Sequence, residues 1–286
     1  KSDNFKTLTD YLKELDYHTC FDGHSDLILP RKNFDEYFVH DENETNLIDT
    51  HKQLINKMKA ENQNGKNFFL YLHYSKIHTG LKNEVLIPYD NFSMDFFNNI
   101  EKNNNRYSIL FEKASLYLEK LFELIQLLEL DKNSIILVLS DHGVSIGEKI
   151  GERAYGAFCY DYTIRTFTYF LTNDLPVIEI NQQTRTVDFM PTILDYLGIS
   201  LDRNYNELDG VSLLPLIHGE SIPEEYAFTE TGNPFNEKAP PKEPNVKSIR
   251  NSKWKLIFNQ YDNSKELYNL ELDPDEKNNL IDNGEN

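Results

Sequence analysis

Residues 134–149, Ser-Ile-Ile-Leu-Val-Leu-Ser-Asp-His-Gly-Val-Ser-Ile-Gly-Glu-Lys, constrain this chain more than any other stretch. Five apolar residues, Ile135 to Leu139, run without a polar interruption, the pattern of a strand buried on both faces of a parallel sheet. The run stops at Ser140-Asp141-His142-Gly143, where the glycine permits a tight turn. Open α/β sheets bind ligands beyond the carboxyl ends of their strands, so this junction is where chemistry is expected. Side chains alternate along an extended strand, and Asp141 and His142 converge on one ion only if the backbone turns there. A carboxylate oxygen with an imidazole nitrogen makes a half-site for a divalent cation. The competing reading has Asp141 capping the loop and His142 hydrogen-bonded within it.

The rest of the chain repeats that logic. Ser2 or Asp3 can cap a helix running to Leu15, with Phe5, Leu8, Leu12 and Leu15 on one stripe. A short strand over 16–21 then meets the loop Asp22-Gly-His24-Ser-Asp26, read either as a second site loop or as a surface turn. Leu47, Leu54, Ile55 and Met58 mark an amphipathic helix over 44–61, followed by a buried strand over 67–73. His73 falls inside that strand and reads as a core histidine, whereas His78 lies in the loop beyond it, before Gly80. Residues 81–104 lack a clear period and read as an irregular insertion over the site; 106–130 form the longest helical pattern. Helix and strand in alternation predict an α/β fold with a mostly parallel central sheet flanked by helices. From Ser221 the texture changes to short strands separated by turn residues, which predicts a small C-terminal antiparallel subdomain, with one last polar helix over 272–280. The expected division is therefore residues 1–220 and 221–286.

Composition narrows the function classes. A formal charge of −18 argues against nucleic acid or an anionic membrane surface as partner, because phosphate binding needs lysine and arginine in excess. Cys20 and Cys159 are too few for a disulfide framework and read as buried thiols. No apolar run reaches the length of a membrane span and there is no signal-peptide pattern, although the chain opens on Lys1 and leaves room for an upstream segment.

Read together, these segments resemble the sulfatase family of the alkaline phosphatase superfamily. Residues 7–26 are similar to the helix, strand and Gly-Lys-x-His loop of that family, and Phe68-Phe-Leu-Tyr-Leu-His-Tyr74 through His78 to the strand carrying its substrate-side histidine. Ser140-Asp-His-Gly143 with Gly147-Glu148 resembles its metal-binding loop. Tyr160–Arg165, Val187–Leu194, Leu208–Leu214 and Glu266–Leu280 follow its later signatures in order. The resemblance implies that Asp141 and His142 supply two ligands to one divalent ion, with calcium, manganese, magnesium and zinc all compatible. It implies that His78 acts on the ester oxygen or the transferred group, as electrostatic stabiliser or acid. The Asp-His pairing is more similar to the phosphonate-hydrolase and lipid-phosphotransferase branches than to the arylsulfatases.

Departures from the pattern accompany it. The family's Lys and His in the Gly-Lys-x-His loop fall on His24 and Asp26, and a later cation falls near Tyr155 or Gly156, leaving Lys149 or Arg153 as substrate-binding substitutes. No Cys or Ser followed by x-Pro-x-Arg occurs in the 286 residues, so the nucleophile and the paired acids of the family's first strand are expected upstream of Lys1. The implied function is metal-dependent hydrolysis of a sulfate or phosphate ester, on a small molecule or glycan, with this chain alone inactive. The alternatives are a phosphoglycerol or phosphoethanolamine transferase and a non-catalytic binding protein of the same fold.

Overall fold

The computed structural model describes residues 4–87, 93–152, 154–205, 207–233 and 241–281. In chain order its elements are helix α1 (Leu8–Glu14), strands β1 (His18–Gly23) and β2 (Glu36–Val39), helix α2 (Leu47–Gln63), strand β3 (Phe68–Leu72) and helices α3 (Lys76–Leu81), α4 (Met94–Asn98) and α5 (Ile100–Leu127). Strand β4 (Ile136–Leu139), helix α6 (Asp161–Ile164), strand β5 (Thr168–Leu171), helices α7 (Phe189–Tyr196) and α8 (Leu214–Ile217) and strands β6 (Ala227–Thr231), β7 (Val246–Arg250), β8 (Trp254–Asn259) and β9 (Ser264–Asn269) follow. The chain forms two compact units that interleave in sequence. The first comprises Lys1–Asn91, Glu101–Ile136 and Ser200–Glu207, the second Phe92–Ile100, Leu137–Ile199 and Leu208–Asn286.

In the first unit β2, β1 and β3 form a parallel sheet in that order, with Cys20 opposite Leu70 and Asp22 opposite Phe38 and Leu72. The even-numbered side chains of β1 face α2: Cys20 packs with Leu54 and Met58, which are almost wholly buried. The odd-numbered ones face away, where the Phe21 ring stacks on its register partners Tyr37, at 4.4 Å, and Tyr71, at 5.2 Å. Side-chain alternation therefore decides which residues of β1 can reach the helices. Tyr117 and Leu121 of α5 extend the same core over Leu47 and Ile55. Helix α1 begins later than its apolar stripe suggests. Thr7 is the cap, and its side chain and that of Asp10 each accept the other's backbone N–H, while residues 2 and 3 lie outside the described residues.

The stretch read as an irregular insertion is largely helical, with α3 running into a π-helical turn at Lys82–Leu86, then α4, and α5 starting at Ile100. Strand β4 is half-buried, and Leu139 is exposed. Among the described residues β4 pairs with β5 alone, and an apolar run does not reveal how many neighbours a strand has.

The second unit carries the antiparallel sheet β6-β7-β8-β9, whose inner face buries Val246, Ile257 and Tyr268 against Cys159 and Tyr160. Residues 272–280 form turns instead of the polar helix expected. The Asp273 carboxylate accepts the N–H groups of Lys277 and Asn278, and Glu276 takes a left-handed φ of 54° that sends its side chain inward. There its carboxylate meets Lys255, at 2.7 Å, and accepts the Asp161 N–H.

Candidate functional site

The register of the first sheet brings three histidines to one rim: His24, His40 and His73 follow the last residues of β1, β2 and β3, respectively. The backbone keeps them at that rim, since the His40 N–H donates to the Gly23 carbonyl and the His73 N–H to that of Asp22, both at 2.9 Å. Beyond the rim the side chains divide into two clusters.

The first cluster joins His24, His73 and His78. Nδ1 of His24 lies 3.1 Å from Nδ1 of His73, so one ring donates a proton to the other. The His78 ring, on α3, stacks on His24 at 5.7 Å. Sequence reasoning singled out His24 and His78, and the structure brings them together. It missed His73, which stands one residue past the strand instead of within its core. Three grouped imidazoles supply N–H donors and, on protonation, positive charge to an oxyanion. Asp26 is exposed on the same loop.

The second cluster is buried and was not anticipated. Asp22 on β1 sits between His40, whose Nδ1 is 2.5 Å from Oδ1, and His51 of α2, whose Nε2 is 3.5 Å from Oδ2. His51 Nδ1 is hydrogen-bonded to the Tyr117 hydroxyl, and His40 Nε2 lies 3.2 Å from Ser75 Oγ. Burial alone would raise the Asp22 carboxyl, yet the facing His51 and His40 rings hold it below the usual carboxylate range. A signal for His51 was present: it occupies the buried stripe of α2 between Leu47 and Leu54, where a polar residue needs a partner.

In the second unit, Asp141 and His142 turn toward one another. Their Oδ2 and Nε2 atoms are 3.8 Å apart, and Asp141 Oδ1 accepts the His142 N–H. His142 Nδ1–H donates to the Gly143 carbonyl at 2.6 Å, which leaves the lone pair on Nε2, and the ring stands edge-on to Tyr155. Two ligands bound to one cation at about 2.0–2.4 Å lie roughly 3–4 Å apart, so this pair fits a divalent ion. Gly143 is required for close approach: a Cβ there would lie 2.2 Å from the Tyr162 carbonyl oxygen. The same packing lets its N–H donate to Thr163 at 2.8 Å.

Lys149 turns into the C-terminal sheet. Its ammonium lies 3.6 Å over the Tyr160 ring and donates to the Tyr268 hydroxyl at 3.0 Å. Burial pulls its pKa below the usual lysine value against the opposing pull of Glu266. Arg153 lies outside the described residues. Both cysteines are free and buried.

The sulfatase family model matches residues 1–199. The chain belongs to the sulfatase family. A second model, described as N-sulphoglucosamine sulphohydrolase, C-terminal, matches residues 158–286. The chain is 29% identical over 205 residues to a choline-sulfatase of Rhizobium meliloti, covering 68% of this chain and 36% of that protein. It is 25% identical over 155 residues to a delta 4,5-hexuronate-2-O-sulfatase of Bacteroides thetaiotaomicron, covering 52% and 31%. The matched stretches thus span about a third of the length of these curated relatives. Among solved structures, a protein in complex with its substrate D-glucosamine-2-N,6-O-disulfate shares the fold with a TM-score of 0.66 at 18% identity, over 98% of this chain and 78% of that one. Among the described residues no helix is long and apolar enough to cross a membrane.

Proposed function

We propose that this chain carries the anion-binding and part of the metal-binding apparatus of a hydrolase acting on sulfate esters of a small molecule or glycan. The observation that carries the reading is the convergence of Asp141 Oδ2 and His142 Nε2, 3.8 Å apart at the end of β4. Asp141 and His142 would hold one divalent cation, which supplies Lewis-acid neutralisation of the transferred group's oxygens when bound. His24 binds the anionic group through its ring N–H, and His78, stacked on it, serves the ester oxygen as hydrogen-bond donor or acid. His73 positions His24 through the shared proton between their Nδ1 atoms. Lys149, whose ammonium rests on the Tyr160 ring, and Arg153 are further candidate cations for the anionic substrate, carried by the second unit. The sulfated substrates of the relatives, choline sulfate-type and uronate 2-O-sulfate-type esters, set the class to be tried first.

The 286 residues contain no Cys or Ser followed by x-Pro-x-Arg, so we expect this chain alone to bind sulfate without hydrolysing its esters. A chain that also carries that motif is expected to turn over an aryl sulfate. The test measures that turnover with and without added divalent ions in the wild type, Asp141→Ala, His142→Ala and His24→Ala. Loss of 10²-fold or more in the first two, and a rise in KM of about tenfold in His24→Ala, are expected, since a hydrogen bond to a charged group is worth about 1.5–3 kcal/mol. Unchanged turnover in Asp141→Ala and His142→Ala rejects the reading, and sulfate binding without turnover in the longer chain favours a non-catalytic member of the fold.

A further inference from the structure

We propose that Asp22, His40 and His51 form a second site for one zinc-class divalent ion within the first unit, using none of the residues assigned to ester hydrolysis. Three observations lead there. One ligand atom from each of the three residues lies within 4.8 Å of the others, and all three residues are buried. Donors around a common ion with bonds of about 2.0–2.2 Å stand roughly 3.3–3.6 Å apart in a tetrahedron, so the 3.5 Å between Asp22 Oδ2 and His51 Nε2 already matches.

Those same two atoms have no hydrogen-bond partner among the described residues, although Asp22 is 1% and His51 0% exposed. Buried polar atoms are ordinarily satisfied, and a pair left open toward one another marks a place where something else binds.

The outer partners orient the rings for an ion. His51 Nδ1 is tied to the Tyr117 hydroxyl, which aims the Nε2 edge of the ring at Asp22. His40 Nε2 is tied to Ser75 Oγ, which directs Nδ1 at the same carboxylate. Ligating histidines commonly carry such a hydrogen bond on the second nitrogen, where it fixes the tautomer. An ion entering here replaces the proton that His40 Nδ1 and Asp22 Oδ1 now share at 2.5 Å, with the ring backing away by less than an ångström or so. Two imidazoles and one carboxylate suit zinc or cobalt(II) better than calcium or magnesium.

The test strips the chain with a chelator and titrates it with zinc against a chromophoric competitor, with metal content measured by mass spectrometry. In Asp141→Ala/His142→Ala, which removes the other proposed ligand pair, one zinc per chain is expected, and adding His51→Ala should abolish it. Cobalt(II) in the wild type should give the intense visible bands of a four-coordinate site. Tyr117→Phe, which leaves all three ligands in place, should weaken metal affinity 10–100-fold with an unchanged far-ultraviolet spectrum. No stoichiometric zinc in the wild type overturns the assignment. So do equal uptake of calcium in competition, zinc lost from Asp141→Ala/His142→Ala but kept by His51→Ala, and an unaltered Tyr117→Phe affinity.

Discussion

Replacing Lys255 by methionine probes how the C-terminal sheet of this sulfatase-family chain is held. Lys255 of β8 is 0% exposed, and its Nζ lies 2.9 Å from Asp161 Oδ1 and 2.7 Å from Glu276 Oε1. Asp161 has a second cation in Arg250, at 2.5 Å, whereas Glu276, 1% exposed, depends on Lys255 and the Asp161 N–H. Methionine keeps most of the buried hydrocarbon and removes the charge, so the loss isolates the ion pair. Removing one partner of a buried pair costs about 3–5 kcal/mol, because the other charge is left without compensation. The chain's single tryptophan, Trp254, adjoins Lys255 on β8 and reports unfolding of this sheet by fluorescence. With a urea dependence of about 2–3 kcal/mol per molar, the midpoint should fall by roughly 1–2 M at neutral pH. The loss should also depend on pH. Burial raises the Glu276 pKa, against the pull of Lys255, so the folded state binds its proton more readily than the unfolded one. A raised carboxyl destabilises the fold as pH rises through the interval above the unfolded value of about 4.3, and acidification toward that value restores stability by up to about 1.4 kcal/mol per unit. The variant should therefore recover on acidification, and Lys255→Met/Glu276→Gln should regain at least half of the loss at neutral pH. A single variant within about 0.5 kcal/mol of wild type, or a double variant no better than the single, would refute the reasoning, since surface-type substitutions fall in that range.

Further consequences concern the first unit and the thiols. Asp35 accepts hydrogen bonds from Lys13 and from the N–H and hydroxyl of Thr19; burial opposes ionisation, but these contacts hold its pKa to about 2. Its stabilisation is present above the unfolded value of about 3.9 and disappears as pH falls from about 4 to about 2; Asp35→Asn should remove about 1 kcal/mol at neutral pH after allowing for solvent screening, and urea titrations at several pH values measure it. Burial pushes the Cys20 thiol to about 12 and Cys159 to about 11, so a thiol reagent at mildly alkaline pH should label neither in the native chain and both in denaturant.

Much of the scaffold was legible because it rests on periodicity. The short strand over 16–21, the apolar run of β3, the stripe of α2 and the change of texture near Ser221 each correspond to an element of the structure. Convergence across elements was less legible. His40 follows β2, a strand with no marked apolar run, and only the parallel register brings it to the end of β1. His73 reads as a core residue because it adjoins an apolar run, yet that run ends one residue earlier and its ring meets His24. The tail from Leu272 carries helix-compatible residues, but the buried demand of Lys255 for a carboxylate turns Glu276 inward and breaks the pattern. Tertiary charge pairing overrides local propensity there.

The alternation of the two compact units along the polypeptide bears on how the molecule is made. A nascent chain leaving the ribosome in order has the three strands of the first sheet by residue 72, but the last segment of that unit ends only at 207. The other unit remains incomplete until its strands after 226 are synthesised. Until then Cys159 and Tyr160 lack the sheet face that buries them, the period in which chaperone capture or proteolysis competes with folding. No single cut in the polypeptide releases either unit whole, and a premature stop before about residue 207 removes part of both.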